Sequence, residues 1–353
     1  MRIMLASGYP VSGVPEQPMT AHPTAPSTML AADPTIDPTH EPPLAPPGAV
    51  RRSVRLERDV ISYLEWPARS AASGSRGEGG VSPPTALLLH GLQSTALTMS
   101  RIAAGLAARG WHVVAPDLPG HGYSFALDGS DADRPGPLDL SRLTILRLRL
   151  SRRHRLRSTA SVVADLAARL ALERPAVLGH SWGASVAGML PTAGLLPSVL
   201  VLLDPPFVTA RQARTLGLQA MAEPAHTYEA ARDTLLSHRP DWHPMDLAAK
   251  AEALTRVSTR AMVAVVAANV PFDPLPAVAR LRRRQPDVQV FVIMGEPGHG
   301  SFVSPAGMDR LRVLVGDGHI HVVSGAGHSP HRTHHEEFMA LLARALDARP
   351  PNA

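Results

Sequence analysis

The chain of 353 residues contains no cysteine. A disulfide framework, a thiolate zinc site and a cysteine nucleophile are therefore excluded together. The absence fits a reducing compartment, and a cytoplasmic location is the expectation. Aromatic residues are only 4% of the chain, so its core must be built from Leu, Val and Ala. Lysine is almost missing as well: Lys250 is the single one, and the net charge of +5 rests on arginine. Arginine is spread evenly among Ala and Pro, as a genome-wide composition bias produces. A basic total speaks to solubility and non-specific attraction, and no nucleic-acid partner is expected. No run of some eighteen apolar residues occurs, so no transmembrane helix and no stable membrane insertion are expected. Near the N-terminus, Gly8, Pro10, Gly13 and Pro15 interrupt any apolar stretch after Arg2, which argues against a secretory signal.

What is present divides the chain unevenly. Residues 1–48 hold eleven prolines and no periodic apolar pattern. Such a segment cannot bury enough surface to offset its ordering entropy, and it reads as a disordered leader. A start placed too early and a functional tail are the other readings. From Arg51 the pattern changes. Val54, Leu56, Val60, Ile61 and Tyr63 suggest a two-stranded hairpin broken near Arg58 and Asp59, and residues 70–84 read as a loop rich in Ala, Ser, Gly and Pro. Strands are then expected at 86–89, 112–115, 176–178, 199–203, 288–294 and 319–323. Helices are expected at 97–109, 160–172, 184–190 and 336–346. Strands alternating with helices imply a mostly parallel sheet covered on both faces. Two segments break the alternation, 124–158 and 206–285. The second is helical by pattern and lies between strands that should be neighbours, where it would cover the strand ends as a cap or lid. The expected organisation is a leader 1–48, a core of 49–205 and 286–348, and a lid insertion of 206–285.

The strongest chemical signal is Gly179-His180-Ser181-Trp182-Gly183. It follows an expected strand and precedes an expected helix, the setting of a nucleophile elbow. In so tight a turn the serine is strained, and side chains two residues before and after it would collide, so both places need glycine. The turn lifts the serine oxygen above the sheet, and the helix that starts there brings a positive dipole end to a developing anion.

Three further motifs join it. His90-Gly91-Leu92-Gln93 follows the strand at 86–89. Asp117-Leu118-Pro119-Gly120-His121-Gly122-Tyr123-Ser124 follows the strand at 112–115. Gly325-Ala326-Gly327-His328-Ser329-Pro330 follows the last strand. In this order the four motifs resemble the α/β-hydrolase superfamily, and the similarity runs from about Arg51 to Leu346. The resemblance implies an α/β-hydrolase fold with Ser181 as nucleophile and His328 as general base. It also implies an oxyanion hole built from the backbone N–H groups of Leu92 and Trp182. His90 and His180 read as structural groups near the site, and Asp117 and His121 as scaffolding for their loop.

The sequence departs from the family at the acid. The family places an aspartate after its seventh strand, three residues beyond a glycine. That position here, in Gly295-Glu296-Pro297-Gly298, is Gly298. Glu296 offers a carboxylate two residues off register. Asp204, after the strand at 199–203 and before Pro205-Pro206, is the other candidate, since some members supply the acid there. One of the two is expected to contact the His328 ring, with the lean to Asp204.

His319, His321, His331, His334 and His335 invite a metal reading, but no carboxylate pair or H-E-x-x-H accompanies them. No metal and no cofactor are expected. Residues 142–157 carry seven arginines interleaved with leucines. They read as a solvated arm or helix packing its leucines on the body, with docking on an acidic partner, a membrane surface or a phosphate-bearing substrate as the alternative. Two functions remain open. One is a serine hydrolase acting on an ester, thioester or amide of a small organic molecule. The alternative is a catalytically silent binding protein of the same fold, or a lyase or cofactor-free haloperoxidase on the same residues. Oligomeric state and substrate identity are not legible.

Overall fold

The computed structural model describes residues 45–68, 82–127, 154–209, 212, 227–257 and 259–348. Most of the proline-rich leader, most of the loop 70–84 and most of the arginine-rich stretch 142–157 lie outside the described residues. So does part of the insertion.

The hairpin forms where the apolar pattern places it. Strand β1 (Val50–Arg55) runs antiparallel to β2 (Asp59–Trp66), with Val54 opposite Ile61. Leu56 N–H closes the turn by donating to Asp59 O at 2.8 Å. The other strands are β3 (Thr85–Leu89), β4 (His112–Pro116), the two-residue β5 (Phe125–Ala126), β6 (Ala176–His180), β7 (Val199–Leu203), β8 (Gln289–Gly295) and β9 (Ile320–Val323). All nine strands of the described residues join one sheet in the order β1-β2-β4-β3-β6-β7-β8-β9, with β5 pairing β2. From β4 through β9 every pairing on this path is parallel, whereas β2 meets β4 antiparallel. Strand β5 was not foreseen, since residues 124–158 carry no strand-like run.

A central parallel strand must be apolar on both faces, and the side chains of this sheet divide by the two-residue period. Leu87, Leu89, Val177, Leu200, Leu202, Val290 and Val292 point to one face, where they pack with helices α2 (Leu156–Arg169), α3 (Trp182–Met189), α7 (Leu275–Arg284) and α8 (Pro305–Val315). Leu88, Val113, Leu178, Val199, Val201, Leu203 and Ile293 point to the other, against α1 (Ser100–Ala107) and α10 (His335–Asp347). Helix α2 starts four residues earlier than expected, so Leu156 and Arg157 of the arginine-rich stretch belong to it.

Between β7 and α7 lie α4 (Tyr228–His238), α5 (Pro244–Arg256) and α6 (Thr259–Asn269). Helices α4 and α5 share a small core of Ala231, Leu235, Leu247 and Ala251. Helix α7 behaves differently: Leu275, Val278 and Leu281 enter the main core. It is the crossover helix of the β7-to-β8 connection and packs on the sheet layer, although its residues fall within 206–285. Short helix α9 (Pro330–Thr333) follows the last strand. No described helix is long and apolar enough to cross a membrane.

Candidate active site

The residues singled out from the sequence gather at the carboxyl ends of the parallel strands, where open α/β sheets place their ligands. Ser181 follows β6 directly, with φ 53° and ψ −117°. A non-glycine residue with positive φ is strained, and such strain persists only where the surroundings fix it. They do so here. Ser181 N–H donates to Leu203 O at 2.9 Å, and Ser181 O accepts from Ala184 N–H at 2.8 Å. A Cβ on Gly179 would stand 2.1 Å from Gly183 O, and one on Gly183 would stand 2.3 Å from Leu89 O. Both glycines are sterically obligatory. Trp182 is the first residue of α3, so its N–H has no acceptor one turn back.

The loop after β3 packs on the elbow: a Cβ on Gly91 would stand 3.2 Å from Ser181 Cβ. His90 holds this loop. Its Nε2 accepts from Leu118 N–H at 2.9 Å, so Nδ1 carries the proton and donates to Gly91 O at 2.8 Å. The carbonyl and N–H of one trans peptide point in opposite directions, so the bond to Gly91 O also sets the direction of Leu92 N–H. Burial pushes the His90 imidazole down to about 4, which keeps this neutral tautomer. His121 is pushed down to about 3, also by burial, and its Nδ1 donates to Pro119 O at 3.1 Å. Asp117 is scaffolding. Its carboxylate accepts from Ala96 N–H at 2.7 Å and Tyr123 N–H at 3.1 Å, and pairs with Arg51 at 2.9 Å.

The two candidate acids separate cleanly. Asp204 is fully buried, and its Oδ2 lies 2.6 Å from His328 Nδ1. Oδ2 also accepts from Phe302 N–H at 3.0 Å, while Oδ1 accepts from Gly295 N–H at 3.0 Å and Ser301 Oγ–H at 2.6 Å. Four donors thus converge on one carboxylate. Asp204 itself has φ 41° and, like Ser181, takes a conformation that glycine would adopt more readily. Glu296 instead accepts from Gly325 N–H at 2.8 Å and Ser324 Oγ–H at 3.2 Å. These contacts brace the loop that carries His328, and the Gly325 bond draws the exposed Glu296 carboxyl below its usual range. The off-register carboxylate holds the backbone of the histidine loop and not the ring.

His328 is joined to the elbow through its neighbour. His180 Nε2–H donates to His328 O at 2.9 Å, and the two rings lie 4.8 Å apart. Burial and the adjacent His328 hold the His180 imidazole well below its usual range. His331 sits 4.6 Å beyond His180 and is pushed down in the same way by burial. Phe302 packs edge-on against His328, with ring centroids 4.3 Å apart. Val208, Val266 and Phe272 extend this apolar wall to Leu92. Ser301 and Phe302 were missed in the sequence, where nothing in Gly300-Ser301-Phe302 signals a role until the chain folds them over Asp204.

The remaining histidines have other work. His319 and His321 stack on Phe291, with ring centroids at 4.6 Å and 6.3 Å. His335 Nδ1–H donates to His331 O at 2.9 Å, and His334 Nδ1 bonds Thr333 Oγ1 at 2.9 Å. Among the described residues, no group of three or more His, Asp or Glu could hold a metal ion.

Comparison with known proteins agrees with this architecture. The magnesium-chelatase 30 kDa subunit of Rhodobacter capsulatus is 31% identical over 144 residues, which span 38% of this chain and 43% of that protein. The chain therefore matches less than half the length of that relative. Among solved structures, E-2-(acetamidomethylene)succinate hydrolase superposes with a TM-score of 0.62 at 20% identity, covering 85% of this chain and 99% of that one. The N-acyl homoserine lactonase AidH gives 0.58 at 19% identity, covering 86% and 98%. At such identities the likeness is one of fold. The family model described as the alpha/beta hydrolase family matches residues 86–341, most of the chain, and the chain belongs to that family.

Proposed function

We propose that the protein is a serine hydrolase that cleaves an ester, thioester or amide bond of a small organic molecule through an acyl-enzyme. The observation that carries this reading is the buried Asp204–His328 pair beside a serine in a strained elbow. With Nδ1–H donated to Asp204, His328 presents Nε2 as the proton acceptor. Ser181 Oγ attacks the acyl carbon as its proton passes to His328 Nε2. The carbonyl oxygen takes up negative charge and is met by the N–H groups of Leu92 and Trp182. The imidazolium, balanced by Asp204, then returns the proton to the leaving group as that bond breaks. Water repeats the sequence on the acyl-enzyme and frees Ser181. The apolar wall of Leu92, Val266, Phe272 and Phe302 favours an apolar group next to the reacting carbon. The neighbours in fold named as a hydrolase and a lactonase fit such acyl chemistry.

The test is turnover of chromogenic esters of graded acyl length. Ser181→Ala should lower it by several powers of ten while the fold is kept. Unchanged turnover in that variant removes the reading. One observation favours a second reading: the relative from Rhodobacter capsulatus is named as a chelatase subunit. A silent binding protein of this fold would turn over no ester in either form.

A further inference from the structure

We propose that Lys250, carried by insertion helix α5, is a positioning residue for the loop that supplies Leu92 to the oxyanion hole. The inference rests on the acyl-transfer reading. Its anchor is one contact: Lys250 Nζ–H donates to Gln93 O at 2.6 Å, across 157 residues of sequence. The chain has no other lysine, and this one is half-buried.

The geometry of the loop explains what the contact does. Gln93 has φ 55°, a left-handed conformation for a residue with a side chain. Such a residue relaxes unless its neighbours hold it. Leu92 stands between two restrained carbonyls. Gly91 O is held by His90 from within the core, and Gln93 O is held by Lys250 from the insertion. Gly91 O lies in the Gly91–Leu92 peptide and Gln93 O in the Gln93–Ser94 peptide, so the chain is pinned immediately before Leu92 and one residue beyond it. This holds the strained Gln93 and keeps the Leu92 N–H where an oxyanion forms. An ammonium donor makes a stronger bond than a neutral one. Its charge also reaches the site, since Lys250 contributes to the lowered pKa of both His90 and His180. A fixed positive charge in this enclosed place favours the anionic intermediate over the neutral substrate.

Helix α5 has other attachments, which provide a control. Asp246 pairs with Arg101 of α1 at 2.7 Å, and Glu252 accepts from Tyr123 Oη–H at 3.1 Å. Neither of these two bonds involves the residue 91–93 loop. Loosening the Asp246 contact tests whether any weakening of α5 has the effect expected of Lys250.

The experiment compares the full-length wild type with Lys250→Met, Lys250→Arg and Arg101→Met. It reads steady-state ester hydrolysis, melting temperature and the rate of labelling by a fluorophosphonate. Removing one oxyanion donor outright costs about 100- to 1,000-fold, and a misplaced donor costs less. Lys250→Met should lower kcat roughly 10- to 100-fold with KM within about threefold. It should slow labelling in parallel. Lys250→Arg, which keeps a charged donor, should recover most of the loss. Arg101→Met should lower the melting temperature and leave kcat within about twofold of wild type. If Lys250→Met does not fold, Lys250→Gln, which keeps an N–H without the charge, takes its place with the same expected loss of kcat. An active wild type with either of these uncharged variants within twofold overturns the proposal. So does a loss of kcat in Arg101→Met equal to that in the Lys250 variant. A wild type that neither hydrolyses esters nor takes the label refutes the acyl-transfer reading itself, and the Lys250 proposal falls with it.

Discussion

Replacing Asp204 by asparagine changes one atom in a site where four donors converge. Asp204 accepts from Gly295 N–H, Ser301 Oγ–H, Phe302 N–H and His328 Nδ1. An amide has one acceptor end and one donor end, so it cannot satisfy both pairs. If its NH₂ group takes the Oδ2 place, it faces Phe302 N–H and turns the imidazole to the tautomer with the proton on Nε2. That tautomer cannot take a proton from Ser181. If NH₂ takes the Oδ1 place, Gly295 N–H is left unpaired in the interior, and the imidazolium that forms later lacks its balancing charge. Either arrangement would remove most of the general-base function proposed for His328. The expected loss is about 10⁴-fold in kcat, the scale on which a triad aspartate acts, or roughly 5.4 kcal/mol of barrier. The unpaired buried donor should also cost about 1–3 kcal/mol of stability, visible as a lower melting temperature. The assay is ester turnover by Asp204→Asn beside Glu296→Gln. The glutamine keeps an acceptor for Gly325 N–H, so its turnover should stay within about tenfold of wild type. Asp204→Asn within tenfold of wild type, or Glu296→Gln as impaired as Asp204→Asn, would refute the reasoning.

Other outcomes follow from the same structure. His90, His121, His180 and His331 are buried with their pKa values pushed down. The unfolded chain therefore binds more protons than the folded one below about pH 6.5, and stability should fall as pH drops through that value and onward toward the folded pKa values. Each such group contributes at most about 1.4 kcal/mol per pH unit. Denaturant titrations between pH 8 and pH 5 check this, and a stability flat across that range contradicts it. His331→Phe, beside Phe338, should flatten the acid limb by about one proton's worth; an unchanged slope in that variant rules out the assignment to His331. Gly183→Ala should prevent the elbow from forming, since its Cβ would lie 2.3 Å from Leu89 O and 2.6 Å from His90 O. Soluble Gly183→Ala protein with wild-type melting and turnover would show that the turn is not so constrained.

The legible part of this protein is the part governed by local rules. The sheet was readable because apolar runs such as 199–203 are short, β-branched or leucine-rich, and bounded by turn residues. The elbow was readable because steric crowding at Gly179 and Gly183 leaves a fixed pattern around Ser181. The acid was only half readable. Glu296 and Asp204 both follow strands at the right end of the sheet, and sequence spacing cannot tell which carboxylate meets an imidazole 124 residues away from Asp204. The structure separates them through backbone direction: the left-handed turn at Asp204 aims its short side chain inward, while Glu296 reaches back to Gly325. Ser301 and Phe302 were illegible for the same reason, since their role exists only across the chain crossing over Asp204. The boundary of the insertion was blurred because α7 is helical by pattern like its neighbours. Only its contacts with the sheet distinguish it.

The central claim is that Ser181 is a nucleophile activated by His328, and covalent capture tests it most directly. Intact-mass measurement after incubation with a fluorophosphonate should show one adduct per chain. Peptide mapping should place it on Ser181, and neither Ser181→Ala nor heat-unfolded wild type should carry it. A folded wild type that stays unmodified, or an adduct on another residue that persists in Ser181→Ala, would contradict the claim.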